Sequence, residues 1–70
     1  MTMIITVVQL ETAINTAREL EPPQNFVLSR DVAAMADVYA TMIYRRLGEI
    51  DLGQFAKYQQ AVVAKEALNN

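Results

Sequence analysis

The 70-residue chain contains no cysteine and no histidine. The first absence excludes disulfides and thiolate chemistry. The second removes the commonest metal ligand and the side chain that most often serves as a general base near neutral pH. Glycine occurs only at Gly48 and Gly53, too sparsely for a loop that cradles phosphate. Charge of one sign is missing as well. The net charge is −2, with acids and bases interspersed, so no electrostatic footprint for DNA, RNA or an anionic membrane stands out. The carboxylates, Glu11, Glu19, Glu21, Asp31, Asp37, Glu49, Asp51 and Glu66, follow no helical or loop pattern of metal ligands. The expectation is a protein without metal, cofactor or enzymatic activity.

Long hydrophobic runs are also lacking, since none approaches the roughly 18 apolar residues of a membrane span. The apolar start MTMIITVV has neither the basic flank nor the small-residue cleavage site of a secretory signal. A soluble, cytoplasmic protein is expected. At this length there is one domain, whose core by itself supplies about 3–5 kcal/mol of stability. Yet 53% of the residues are hydrophobic, more than so small a body can bury. That surplus predicts association, with a second copy or with another protein.

Turning to what is present, Thr6 and Gln9 stand three apart, as in a capping box, and Ile5 and Leu10 occupy the hydrophobic-staple positions. Val7, Leu10, Ile14 and Ala17 then recur at helical spacing, with Glu11, Asn15, Arg18 and Glu19 mostly on other faces, until Pro22 and Pro23 end the pattern. A helix over 7–20 follows. The β-branched residues in 2–8 also suit a strand, but a lone strand needs a partner that the sequence does not advertise.

Residues 21–28 form a Pro-containing linker whose Phe26 and Leu28 are expected to pack back onto the core. Ser29 is placed to cap a second helix with Asp31 in its first turn. Over 30–47, Val32, Met35, Ala36, Tyr39, Ala40, Met42, Ile43 and Leu47 fill about half of a helical wheel. Asp37, Thr41 and Arg45 form a polar stripe opposite. Gly48 suits the left-handed position that closes a helix. A second capping-box pattern, Asp51 with Gln54, and the staple pair Ile50 and Phe55 predict a third helix over 52–67. The fold class read from these patterns is all-α: a small three-helix domain.

The junction MIYRRLGEIDLGQF resembles a helix-turn-helix in its shortness alone. Arg45 and Arg46 are already explained as cations at a helix C-terminus, and Gly48 and Asp51 as a stop and a start. Contact with nucleic acid through Arg45, Arg46, Lys57 and Lys65 is the second reading, that of a small transcriptional or nucleoid modulator. The leading reading is a protein-interaction module using Phe26, Met35, Tyr39, Met42 and Arg46, where arginine, methionine and aromatic residues share one side of a helix. A third, to which the small size and mild acidity do not point, is a mobile-element inhibitor of a host defence complex. Asn15 beside Ile14 is expected to be a boundary or solvent-facing amide.

Two blocks carry a resemblance: LETAIN at 10–15 and MADVYATMIYRR at 35–46. They resemble a family of short bacterial proteins of unknown function, with an acidic-Ala-Ile-Asn segment in the first helix and Ala-x-x-Tyr-Ala-x-Met-Ile in the second. The aromatic pair that follows the asparagine there is replaced here by Thr16 and Ala17. The resemblance implies a helix-linker-helix arrangement and transfers no catalytic or binding residue.

Overall fold

Thr6 ends a strand and begins a helix without an intervening loop. In the computed structural model, which describes residues 3–20, 22 and 28–68, strand β1 (Ile4–Thr6) runs straight into helix α1 (Val7–Leu20). The capping box forms as read: the Gln9 amide donates to Thr6 Oγ1 at 3.1 Å, and the Thr6 amide donates to Gln9 Oε1 at 2.9 Å. Helix α2 (Arg30–Tyr44) starts at Ser29, whose hydroxyl accepts from the Val32 amide at 3.2 Å. Helix α3 spans Lys57–Ala67. The fold is thus a three-helix, mostly α domain, to which a small sheet is added. Phe26 lies outside the described residues.

The sheet corrects the sequence reading twice. Residues 4–6 do find a partner: β2 (Glu49–Asp51) pairs antiparallel with β1, with Ile5 opposite Ile50, Ile4 opposite Asp51 and Thr6 opposite Glu49. The Val7 amide to the Gly48 carbonyl (2.9 Å) and the Leu52 amide to the Met3 carbonyl (2.8 Å) bracket the pair. Ile5 and Ile50 both point into the core, so burial selects this register.

To bring 49–51 to β1, α2 must stop before Leu47. Arg46 takes the left-handed conformation (φ 56°), its amide donating to the Ile43 carbonyl (3.1 Å) while the Leu47 amide donates to the Met42 carbonyl (2.9 Å). This is the Schellman closure, with arginine and not Gly48 at the left-handed position. A Cβ there is disfavoured, so Arg46→Gly should stabilise the fold by about 1 kcal/mol. In thermal unfolding that appears as a rise of about 4–8 °C in Tm. An unchanged or lowered Tm would contradict the assignment.

Asp51 caps a single 3-10 turn (Leu52–Gln54), accepting from the Gly53 amide at 2.9 Å, and not the third helix itself. Gln54 turns away to accept from Arg45 Nη1 at 3.2 Å. The helix begins after Ala56, whose amide is met by Gln59 Oε1 at 3.2 Å. Residues 45–56 therefore carry a strand and a 3-10 turn between α2 and α3, where a helix-turn-helix has a turn of about 3–4 residues.

The core joins all these elements: Ile5, Leu10, Ala13, Ala17, Val32, Met35, Val38, Met42, Ile50, Leu52, Val62 and Val63 are buried. On α2 the buried arc is displaced toward Val38, because α3 packs on the side that carries Asp37 and Thr41. That stripe is not simply solvated. Gln59 Nε2 donates to Asp37 Oδ2 (2.7 Å), the Thr41 hydroxyl to the Asp37 carbonyl (3.0 Å), and the Tyr58 hydroxyl to Asp31 Oδ1 (2.6 Å). Arg30 lies over the Tyr58 ring, 4.5 Å from its centroid. The rotation leaves the other edge of the apolar arc outside. Ala40, Ile43 and Leu47 are exposed, and Ala36 is half-buried.

Candidate functional site

Along that outer edge of α2, where it meets α1, the surface is concave. A cleft of about 340 Å³ has Ile14, Leu28, Val32 and Ala36 as its apolar wall and Glu11, Asn15, Arg18 and Tyr39 as its polar rim. The spacing Glu11, Asn15, Arg18 places three polar side chains on one face of α1. Helix α2 supplies Val32, Ala36 and Tyr39 at intervals of four and three, one turn above another. The apolar wall continues along the same helix into exposed Ala40 and Ile43 (53% accessible).

Tyr39 joins the two sides of the cleft, its hydroxyl donating to Glu11 Oε1 at 2.9 Å. The bond to a carboxylate, assisted by partial desolvation and by the negative charge of Glu11, raises the Tyr39 pKa above its ordinary value. Since the folded chain holds this proton more tightly than the unfolded one, the contribution is present below about pH 10. It is lost as pH rises through the folded pKa. NMR titration of ring-labelled tyrosine should show the Tyr39 signal moving late, and Glu11→Gln should return it toward the ordinary value. An unshifted Tyr39 in the wild type would refute the contact.

The Arg18 side chain has no hydrogen bond or ion pair to another described residue, although Glu11 lies two helical turns away on its own face. The cleft therefore offers an anchored carboxylate, a bifunctional amide and a guanidinium uncommitted among the described residues, around an apolar wall. These groups are able to hydrogen-bond and to pair with charge beside an apolar surface. Among the described residues, no three acidic side chains gather where they are able to hold a metal ion.

The residues singled out in the sequence are dispersed by the structure. Tyr39 reaches the cleft. Met35 and Met42 are fully buried, because the α2 face that carries them is enclosed by α1 and α3, so they form core and not outer surface. Arg46 is exposed at the α2 terminus. Of the four cations of the nucleic-acid reading, Arg45 is engaged by Gln54, and Lys65 lies 3.8 Å from Asp31 and 3.6 Å from Glu66. Arg46 and Lys57 are exposed. The sequence reading gave Glu11 and Arg18 no functional role and placed Ala36 only within the apolar arc of α2. The 11-15-18 spacing was the available signal, but a polar helix face is solvated by default and becomes a cleft rim only when another helix stands beside it.

Fold and cleft together define a small helical domain with a surface groove and a short strand pair. The chain belongs to the family described as Protein of unknown function (DUF3717), which matches residues 3–67. Neither the curated proteins nor the solved structures yield a match. Among the described residues, no helix is long and apolar enough to cross a membrane.

Proposed function

We propose that this protein is a non-enzymatic protein-interaction module of the cytoplasm, which binds a second copy of itself or another protein through the α1/α2 cleft and the apolar strip that continues it. The observation that carries this reading is the continuity of Ala36, Ala40 and Ile43 on α2 with a cleft whose polar rim comes mostly from α1. Exposed apolar residues in line, edged by polar groups, are the anatomy of an interface. The two sequence blocks that resemble the family, 10–15 and 35–46, both contribute to this one surface. Contact with nucleic acid has less support, because the cations invoked for it are partly engaged and no short helix-turn-helix joins α2 to α3.

The test compares the wild type with Ile43→Glu, a change at an exposed position that spares the core. Sedimentation equilibrium over a wide concentration range should show self-association in the wild type and its loss in the variant. If the partner is a different protein, capture from the native cell should show the same contrast. A wild type that stays monomeric, with an identical set of captured proteins for both chains, would overturn the reading.

A further inference from the structure

The charges at the cleft are self-complementary. Glu11 and Arg18 are seven residues apart, two helical turns or about 10.5 Å along one face of α1, with Ile14 and Asn15 midway between them. A two-fold axis passing beside Ile14 and Asn15 turns α1 end for end. It sets Glu11 of each copy against Arg18 of the other.

We infer that the occupant of the cleft is a second copy of this chain, whose α1 lies antiparallel to α1 in the groove, joined by two reciprocal Glu11–Arg18 pairs. This rests on the self-association branch of the proposed function and specifies its geometry. Charge complementarity selects the occupant, since an isologous interface needs a patch that matches itself after rotation. A carboxylate and a guanidinium spaced equally about a centre form such a patch. Each end is prepared: the Tyr39 hydroxyl holds Glu11 through Oε1, and Arg18 is uncommitted among the described residues. Asn15, exposed near the axis, has both a donor and an acceptor and so can bond to its own counterpart. The second helix covers Ile14 and Ala36 and reaches the exposed strip at Ala40, which supplies the apolar area that the ion pairs alone would lack.

Charge reversal tests it. In Glu11→Arg both rim groups are cationic, and in Arg18→Glu both are anionic. Each variant alone should self-associate at least about tenfold more weakly than the wild type, with an unchanged circular dichroism spectrum. Mixed in equal amounts, the two should form a heterodimer that approaches wild-type affinity and weakens with added salt. Arg18→Glu leaves the Tyr39 to Glu11 bond intact, which separates the loss of pairing from the loss of that bond. If both variants associate as the wild type does, the geometry is refuted while self-association stands, through another face. If the wild type is monomeric throughout the range, the geometry and the self-association branch fall together.

Discussion

Replacing Ile5 with alanine should remove most of the stability of the domain. Ile5 is wholly buried, faces Ile50 across the strand pair and belongs to the same core as Leu10, Met42 and Leu52. Truncating such a residue costs about 2–5 kcal/mol, since contacts are lost and the cavity closes only partly. Against the roughly 3–5 kcal/mol available to a core of this size, the variant is largely unfolded at room temperature. The control is its neighbour. Ile4 points to the other side of the strand and is 45% exposed, so Ile4→Ala should change stability by less than about 1 kcal/mol. Urea unfolding followed by circular dichroism distinguishes them. If residues 4–6 were an unpaired arm, the two substitutions would be alike, and equal small effects would refute the strand pair.

The second large effect falls at Asp31. It accepts the Tyr58 hydroxyl at 2.6 Å and occupies the first turn of α2, where a negative charge meets the positive end of the helix dipole. A hydrogen bond to a charged group contributes about 1.5–3 kcal/mol, and the dipole term about 0.3–1 kcal/mol. Lys65 adds little, because its side chain is 68% exposed and 3.8 Å away. Asp31→Ala should therefore cost about 2 kcal/mol, allowing for the partial exposure of the carboxylate. Tyr58→Phe should lose most of the same amount while keeping the ring under Arg30. In a double-mutant cycle the two effects should overlap by about 1–2 kcal/mol, whereas Lys65→Ala should stay within about 0.5 kcal/mol of the wild type. Strict additivity of Asp31→Ala and Tyr58→Phe would show that α3 is held in another way.

This bond matters because α3 buries only Val62 and Val63. Its two valines anchor it in the core, while Tyr58 and Gln59 fix its first turn against α2 by polar contacts, which a sequence pattern of apolar residues does not show. Asp51 and Gln54 satisfied the spacing of a capping box, yet Gln54 is drawn to Arg45 and Asp51 closes a short turn. Spacing describes which bonds are available; a neighbouring chain decides which of them form. The same holds at Arg46. Glycine is the usual left-handed residue, and Gly48 stood two positions away, but the pairing of Ile50 with Ile5 requires the chain to turn earlier. The domain accepts the disfavoured conformation there. The cleft was legible only in part. Tyr39 was visible as a large amphipathic residue beside the apolar face, while Glu11 and Arg18 looked like ordinary solvated charges. Met35 and Met42 were read correctly as lying on the apolar arc, but the arc alone does not say which part of it a third helix will cover.

By itself, the sequence determined the features that arise within a few residues of chain: α1 from Thr6 and Gln9 to the prolines, the Ser29 cap, three helices, and the absence of thiol and imidazole chemistry. Local hydrogen bonds and side-chain periodicity dictate these wherever the segment is placed. The tertiary structure alone decided the pairing of residues 4–6 with 49–51, the early end of α2, the late start of α3 and the cleft between α1 and α2. The strand pair, the end of α2 and the cleft depend on groups more than twenty residues apart, and the start of α3 on Gln54 meeting Arg45, nine residues away across the turn; burial and pairing of this kind are settled only when the elements have packed.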